Sequence, residues 1–208
     1  MKWVSSLHIS NSFEKSLRAI GRDLKKKLGR KKANFGFISI SYAFREEIVD
    51  LWGPMRKELP IETVIGCTAG GVIGGEHEIE DQAAISVTAA ILPKVKIQPF
   101  HFHQENLPDL DGSPRPWREL VKVTSKAPPS FLILSDPFSL DCDRLVEGFD
   151  FAYPESTKVG GLASGGNGPN ENLLILNERI FHKGTVGVAF VGNLQVQTVV
   201  AQGCRPIG

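Results

Sequence analysis

Two glycine-rich segments carry the residues best suited to bind a small ligand. Residues 64–71 read VIGCTAGG, and residues 159–166 read VGGLASGG. Glycine lets backbone N–H groups approach a ligand closely, and consecutive amides in such a turn form a concavity that binds anions. Thr68, Ser164 and Asn167 add side-chain donors and acceptors. The repeated pattern predicts that the two segments face one another and form a site for a carboxylate or another small anion. The alternative is that the glycines let two halves of the chain pack tightly.

Two apolar stretches upstream of these glycines end in polar residues. Residues 37–41, FISIS, resemble residues 131–135, FLILS. Because ligands gather beyond the carboxyl ends of strands in α/β sheets, we expect Ser135 and Asp136 at the site. Asp136 is predicted to receive an amine or hydroxyl group, or alternatively to cap the next helix or hold the turn before Pro137. The predicted ligand-binding residues are Gly66, Cys67, Thr68, Gly70, Gly71, Ser135, Asp136, Gly160, Gly161, Ser164, Gly165 and Asn167.

Cysteine and histidine residues suggest two further chemistries. Cys67 is a candidate nucleophile for an acyl-transfer enzyme, with a glycine turn as the oxyanion hole. Nothing in the sequence links it to a base, so a small buried hydrophobe is the favoured interpretation. His101 and His103 share one face of a predicted strand and, with Glu105, suggest a metal site, although a solvated strand end is more common. We predict no catalytic residue, no metal and no cofactor.

The composition is that of an ordinary soluble globular protein. The chain has 208 residues, of which 41% are hydrophobic and 23% charged, and its net charge of +1 argues against a nucleic-acid partner. Leu17, Ile20, Leu24 and Leu28 recur at three- to four-residue spacing, which predicts a helix from about Phe13 to Leu28 that is capped by Asn11 or Ser12 and ended by Gly29. The basic residues between Lys25 and Lys32 lie at the end of this helix, where cations suit the helix dipole, so a solvated face is favoured over phosphate contacts. The chain lacks a membrane-length apolar run, a signal peptide and a disulfide framework, which predicts a cytoplasmic protein without membrane insertion.

The apolar periodicity predicts an α/β (α+β) fold with an internal duplication. Each half reads as helix, strand, helix, strand, glycine turn and antiparallel strands, which predicts mixed sheets packed with helices. One domain, residues 1–208, would contain two pseudo-repeats of about residues 1–103 and 115–203, joined by a linker at 104–114. A hairpin about Gly192 and Asn193 is predicted to join strands at 185–191 and 194–201.

Three segments, in order, resemble the FIST N-terminal domain. They are ETVIGCTAGG at 62–71, KVGGLAS at 158–164 and GCRPIG at 203–208, the last of which is similar to the family's passage into a C-terminal companion domain. The resemblance implies a sensory, ligand-binding module of F-box and intracellular signal-transduction proteins. Its implied partners are a small-molecule ligand such as an amino acid, the companion domain and signalling domains. A protein-interaction module, with an apolar patch near residues 199–207, is a further alternative.

Overall fold

The computed structural model describes residues 1–29, 31–123 and 127–199. Those residues form four α-helices and twelve β-strands. The helices are α1 (Phe13–Leu28), α2 (Arg45–Met55), α3 (Arg115–Val121) and α4 (Cys142–Ala152). The strands are β1 (Lys2–Ile9), β2 (Ala33–Ser41), β3 (Ile61–Ala69), β4 (Val72–Gly74), β5 (His77–Ile79), β6 (Ala84–Ile91), β7 (Val95–Phe102), β8 (Ser130–Ser135), β9 (Lys158–Leu162), β10 (Leu174–Leu176), β11 (Arg179–Phe181) and β12 (Thr185–Gly192).

The strands form two larger sheets and one small hairpin. The first sheet has six strands in the order β1-β6-β2-β3-β10-β11, and the second has four in the order β7-β12-β8-β9. The pairs β2–β3 and β8–β9 are parallel, whereas the other pairs in these sheets are antiparallel. β4 pairs with β5 in the separate hairpin. The prediction of an α/β fold with mixed sheets packed with helices is confirmed.

The two sheets share a four-strand plan but exchange segments of the chain. The order β1-β6-β2-β3 in the first sheet has the same strand directions as β7-β12-β8-β9 in the second. β7 belongs to the first predicted half, yet it pairs with β12 in the second sheet. Conversely, β10 belongs to the second half and pairs with β3 in the first sheet. The sheets therefore interlock, and the predicted boundaries of the pseudo-repeats stay a prediction.

The sheets pack face to face, and helices cover their outer faces. Phe35 of the first sheet and Phe190 of the second meet edge to face, with ring centroids 4.9 Å apart, in an apolar layer between the sheets. On the outer face of the first sheet, α1 and α2 bury large side chains such as Trp52. On the outer face of the second sheet, α3 and α4 bury Trp117 and Phe149. Because side chains alternate along a strand, strands such as β3 and β8 contribute to both an outer layer and the layer between the sheets.

Local signals in the sequence fix the ends of the longest helix. α1 begins after Ser12, whose hydroxyl accepts a hydrogen bond from the backbone N–H of Lys15 at 3.3 Å. It ends at Gly29, which has a φ of 72° that suits glycine. The buried residues Leu17, Ile20 and Leu24 form the predicted apolar stripe. The prediction of this helix over residues 13–28 is confirmed.

The predicted hairpin about Gly192 and Asn193 is wrong over residues 194–199, which form no strand. β12 pairs with β7 on one edge and with β8 on the other. Both edges are therefore occupied, and the following residues have no free edge of β12 to join. Residues 200 and 201 of the predicted strand lie outside the described residues.

Candidate ligand-binding cavity

The two glycine-rich segments meet at the carboxyl ends of β3 and β9. The backbone N–H of Gly70 donates to the Ser164 hydroxyl at 3.1 Å, and the Ser164 N–H donates to the Thr68 carbonyl at 3.1 Å. Gly165 lies against Tyr42, where a Cβ would come within 2.3 Å of the Tyr42 Cβ, and its φ is 99°. The glycines at this junction therefore allow close contact between the segments, as the packing alternative predicts.

Most of the first glycine segment lies inside the first sheet. Gly66 is paired with Ile38 on one side and with Ile175 on the other, and a Cβ at Gly66 would lie 2.2 Å from the Ile38 carbonyl oxygen. Thr68 is fully buried, and its hydroxyl accepts from the N–H of Leu173 at 3.0 Å. These residues hold the sheet together and have no open face toward solvent. Gly71 is exposed and lies against Glu80, away from this junction.

Cys67 lies in the apolar layer between the sheets. It is 5% exposed and packs in the same cluster as Leu134 and Ala163. Burial raises the pKa of the Cys67 thiol to about 12. A thiol with such a pKa carries almost no thiolate at neutral pH, so the site gives Cys67 the character of a small hydrophobe.

Asp136 anchors the segment that follows β9. Its carboxylate is fully buried and accepts hydrogen bonds from the Ser139 hydroxyl at 2.6 Å and from the Asn172 amide at 3.1 Å. The Asn172 carbonyl oxygen in turn accepts from the N–H of Gly166 at 3.0 Å. Helix α4 is capped by Asp141, which accepts from the Arg144 N–H, rather than by Asp136. The geometry thus corresponds to the predicted turn-holding role of Asp136.

Further contacts hold the same segment against helix α2. Arg45 donates to the backbone carbonyls of Glu171 at 2.8 Å and Asn170 at 3.1 Å. The exposed residue Asn167 donates its backbone N–H to the Glu171 carboxylate at 2.6 Å. Residues 163–172 are therefore fixed at both ends, and they connect the end of β9 in the second sheet to the start of β10 in the first.

A cavity of about 290 Å³ lies between β9 and α4. It contains three of the predicted ligand-binding residues, Ser135, Gly160 and Gly161. Its volume is at the small end of the range for small-molecule sites. The other residues that line it are Ile133, Cys142, Leu145, Val146, Lys158, Val159 and Leu162.

Two glycines of β9, which lack side chains, leave space for this cavity. β9 is the last strand of its sheet, so one of its edges is unpaired among the described strands. At Gly160 a Cβ would lie 1.9 Å from the Ile133 carbonyl oxygen, so glycine is needed for the strands to pair. At Gly161 a Cβ would meet nothing within 4 Å. Gly161 therefore faces open space, and its backbone is accessible to a ligand.

The lining is apolar with a few polar groups. Val146 and Leu162 are each 53% exposed at the mouth, where they offer apolar surface to a ligand. The Lys158 ammonium lines the wall and donates to the Asp150 carboxylate and to the Tyr153 carbonyl. Burial raises the pKa of the half-buried Cys142 thiol. The cavity can thus hold an apolar group, with a cation and a free strand edge beside it.

The histidine pair does not form part of a metal cluster among the described residues, where no group of three or more His, Cys, Asp or Glu could hold a metal ion. The ring centroids of His101 and His103 are 4.6 Å apart, and His101 stacks on Phe181 at 3.7 Å. Burial lowers the pKa of His101. The apolar patch expected near residues 199–207 falls outside the described residues, except for Val199, which is exposed.

Sequence reasoning missed two kinds of residue. Asn172 completes the buried network around Asp136, but it lies in a polar loop without a recognisable pattern. Leu145 and Val146 face the cavity from α4, and the sequence showed them only as part of an apolar helix face. The signal that could have located the cavity is the Gly160–Gly161 pair within a strand, because glycine inside a strand often marks a close backbone approach or a ligand.

Residues 34–208 match the FIST N domain. The chain belongs to the FIST N domain family. This family is a sensory domain family associated with signal transduction. The FIST N chain is 31% identical over 171 residues to an uncharacterised protein of Mycobacterium tuberculosis, a match that covers 81% of this chain and 42% of that protein. It is 29% identical over 168 residues to an uncharacterised protein of Mycobacterium bovis, with the same coverage of 81% and 42%.

The FIST N chain thus spans less than half the length of these curated relatives. Within the ranges that the structure describes, none of the helices has both the length and the apolar character needed to cross a membrane.

Proposed function

We propose that this FIST N domain is a cytoplasmic sensory domain that binds a small molecule in the cavity between β9 and α4. The observation that carries the proposal is the open space at Gly161, beside the unpaired edge of β9 and an apolar wall. A strand edge supplies backbone donors and acceptors, and the apolar wall supplies buried area. A small-molecule site is usually a mostly apolar cavity with a few polar groups.

The lining favours an amino acid with an apolar side chain, or a similar small carboxylate. Ile133, Leu145 and Val146 would contact the apolar group. Lys158 supplies the cation for a carboxylate, because its ammonium has three N–H donors and contacts only the Asp150 carboxylate and the Tyr153 carbonyl among the described hydrogen bonds. The Ser135 hydroxyl already donates to Thr185 at 2.9 Å and keeps acceptor capacity for an amine.

The signal would pass through the glycine junction. β9 leads directly into Ser164, which is hydrogen-bonded to Thr68 and Gly70 of the first glycine segment. A ligand that stiffens β9 would therefore also favour one arrangement of residues 163–172, provided that it binds one conformation better than another. We propose a C-terminal companion domain or a signalling domain as the receiver.

The test is a thermal-shift screen of the 208-residue chain against the common amino acids, small carboxylates and nucleotides. A compound that binds the native state raises the unfolding midpoint by mass action, and the shift grows with the logarithm of its concentration once the site is saturated. We expect a dose-dependent shift from apolar amino acids such as leucine, and none from nucleotides.

The matched variants are Gly161→Val and Gly53→Val. Gly161→Val adds a branched side chain to the edge strand beside the cavity without a clash, because a Cβ there meets nothing. Since this side chain shields the strand edge from a ligand, we expect an unchanged midpoint without compound and no shift with it. Gly53 is also exposed with nothing near its Cβ, but it lies on α2, and its variant should keep the shift in full. A shift that persists in Gly161→Val, or no shift from any compound, would overturn the proposal.

A further inference from the structure

A second concave site lies on the far side of the first sheet, between α1 and β1. It is a groove of about 410 Å³ whose walls carry the basic side chains of Lys15, Arg18 and Arg22, with His8 and Ser10 at the β1 side and Glu58 at the other. The basic side chains recur at three- and four-residue spacing, so they share one face of α1. All of them precede residue 34, where the match to the family begins.

The close approach of another segment to α1 shapes the groove. At Gly21 a Cβ would lie 2.5 Å from the Glu58 carbonyl oxygen, so glycine lets the turn at Arg56–Glu58 pack directly on the helix. On the opposite side, the His8 ring lies 3.2 Å from the buried Ser16 hydroxyl, which fixes β1 against α1. The backbone that shapes the groove is therefore fixed by core packing, whereas the side chains of Lys15, Arg18 and Arg22 are exposed along it.

The charges on this face are not balanced. Arg18 pairs with Glu14 at 2.9 Å, whereas no carboxylate of the described ranges lies within ion-pair distance of Lys15 or Arg22. Like charges at three- and four-residue spacing destabilise a helix, and a cation in the first turn opposes the helix dipole. The dipole accounts for Lys25–Lys27 in the last turn, whereas neither the dipole nor an ion pair within the described ranges stabilises Lys15 and Arg22.

We propose that this groove binds a phosphate group of a phosphate monoester. The Arg22 guanidinium offers paired N–H donors that match phosphate oxygens, and Lys15 adds a mobile positive charge. The Ser10 hydroxyl and the His8 ring line the same groove and supply further donors. Glu58 is the acidic residue of the lining, and it is placed to accept a hydrogen bond from a hydroxyl or amine elsewhere on the ligand. The same phosphate chemistry occurs in soluble metabolites and in the headgroup of phosphatidic acid.

The first experiment titrates the chain with inorganic phosphate and with pyrophosphate by calorimetry, at a constant ionic strength set with NaCl. The second titrates it with phosphatidylcholine vesicles that either contain or lack phosphatidic acid. The test variant is K15Q/R22Q. The control is K57Q/K96Q, which removes the same charge from exposed positions outside the groove. We expect saturable binding of pyrophosphate to the unaltered chain, at least tenfold weaker affinity in K15Q/R22Q, and unchanged affinity in K57Q/K96Q.

Thermal unfolding separates a binding role from a structural one. Because K15Q/R22Q removes like-charge repulsion, its midpoint without phosphate should equal that of the unaltered chain or exceed it by about 1–2 °C. Binding to phosphatidic acid vesicles alone, lost in K15Q/R22Q, would assign the phosphate to a lipid and keep the groove. Absence of binding to both phosphates and vesicles, or an equal loss in both double variants, would overturn the proposal.

Discussion

Two neighbouring glycines of β9 have opposite roles. Gly160 is required for strand pairing, because a Cβ would lie 1.9 Å from the Ile133 carbonyl oxygen. Gly161 has free space around it and a φ outside the left-handed range. Glycine at position 160 is therefore required for strand pairing, whereas glycine at position 161 leaves the strand edge beside the cavity open.

The first prediction separates these two glycines by stability. Gly160→Ala should lower the free energy of unfolding by about 1–3 kcal/mol, since β8 and β9 must move apart. Gly161→Ala should change it by less than about 1 kcal/mol, with an increase expected from the smaller entropy of the unfolded chain. Urea denaturation measures both values. Similar losses in the two variants would contradict the assignment.

The second prediction concerns the reactivity of Cys67. In a C142S/C204S background, Cys67 should react with iodoacetamide at pH 7.5 far more slowly than in the urea-unfolded chain, because burial raises its pKa to about 12. Fast labelling in the native state would instead favour the acyl-transfer hypothesis.

The same thiol predicts a pH dependence of stability. The folded pKa of Cys67 is raised above the ordinary value of 9.0, so its contribution is present below pH 9 and is lost as the pH rises toward about 12. The free energy of unfolding should therefore fall more steeply with pH over this range in the unaltered chain than in Cys67→Ala. Parallel pH profiles would contradict a buried neutral thiol.

At the scale of elements, the segment between β9 and β10 is a fixed connection. Asn172 links the Asp136 carboxylate to the Gly166 N–H, and Arg45 holds the backbone near residue 170. Polar groups that are buried in this way stabilise a loop only as long as every partner is present.

The third prediction tests this connection. Asn172→Ala should lower the free energy of unfolding by about 1–3 kcal/mol, because it removes one of the two hydrogen bonds to the buried Asp136 carboxylate and leaves the Gly166 N–H without its partner. Hydrogen exchange should accelerate over residues 164–171. The matched control is Asn167→Ala at an exposed position, where we expect little change in either measurement. Equal effects of the two substitutions would contradict the network.

At the scale of the whole molecule, the two sheets share one apolar layer and exchange strands. Neither sheet has all of its strands without the other part of the chain. This arrangement makes independent unfolding of the sheets unfavourable.

The fourth prediction follows from that coupling. Trp52 lies in the helix layer of the first sheet and Trp117 in that of the second. Two variants, each with one of these tryptophans and phenylalanine at the other tryptophan positions, should each unfold in urea with the same midpoint by fluorescence and by far-UV circular dichroism. A tryptophan midpoint that departs from the dichroism midpoint of the same variant would indicate separate folding units.

The sequence predicted local features well and long-range pairing poorly. α1 was predicted correctly because its apolar stripe lies within the helix and its caps, Ser12 and Gly29, directly flank it. The partner of β10 was not predictable, because pairing with β3 depends on residues more than a hundred positions away. The strand expected at 194–201 rested on a local turn signal at Gly192, and β8 occupies the edge it needed.

The candidate site was predicted only in part for a similar reason. The glycine segments were correctly expected to meet, since paired turns at equivalent strand ends converge. The buried positions of Gly66 and Thr68 depend on β10 as a second neighbour of β3, which the sequence did not show. The cavity lies beside Gly160 and Gly161 of β9, and glycine inside a strand indicates either a close backbone approach or a ligand, so the pair alone did not locate it.

The exchange of strands has a consequence for any cut in the chain. A break within residues 104–114 would leave β7 on the N-terminal fragment and β10 on the C-terminal fragment, although each strand belongs to the sheet of the other fragment. Each fragment would then hold a strand that completes the sheet of the other, and we expect the two to reassemble through the backbone hydrogen bonds of these strands. The chain is therefore suited to fragment complementation, in which the fold is recovered only when both fragments are present.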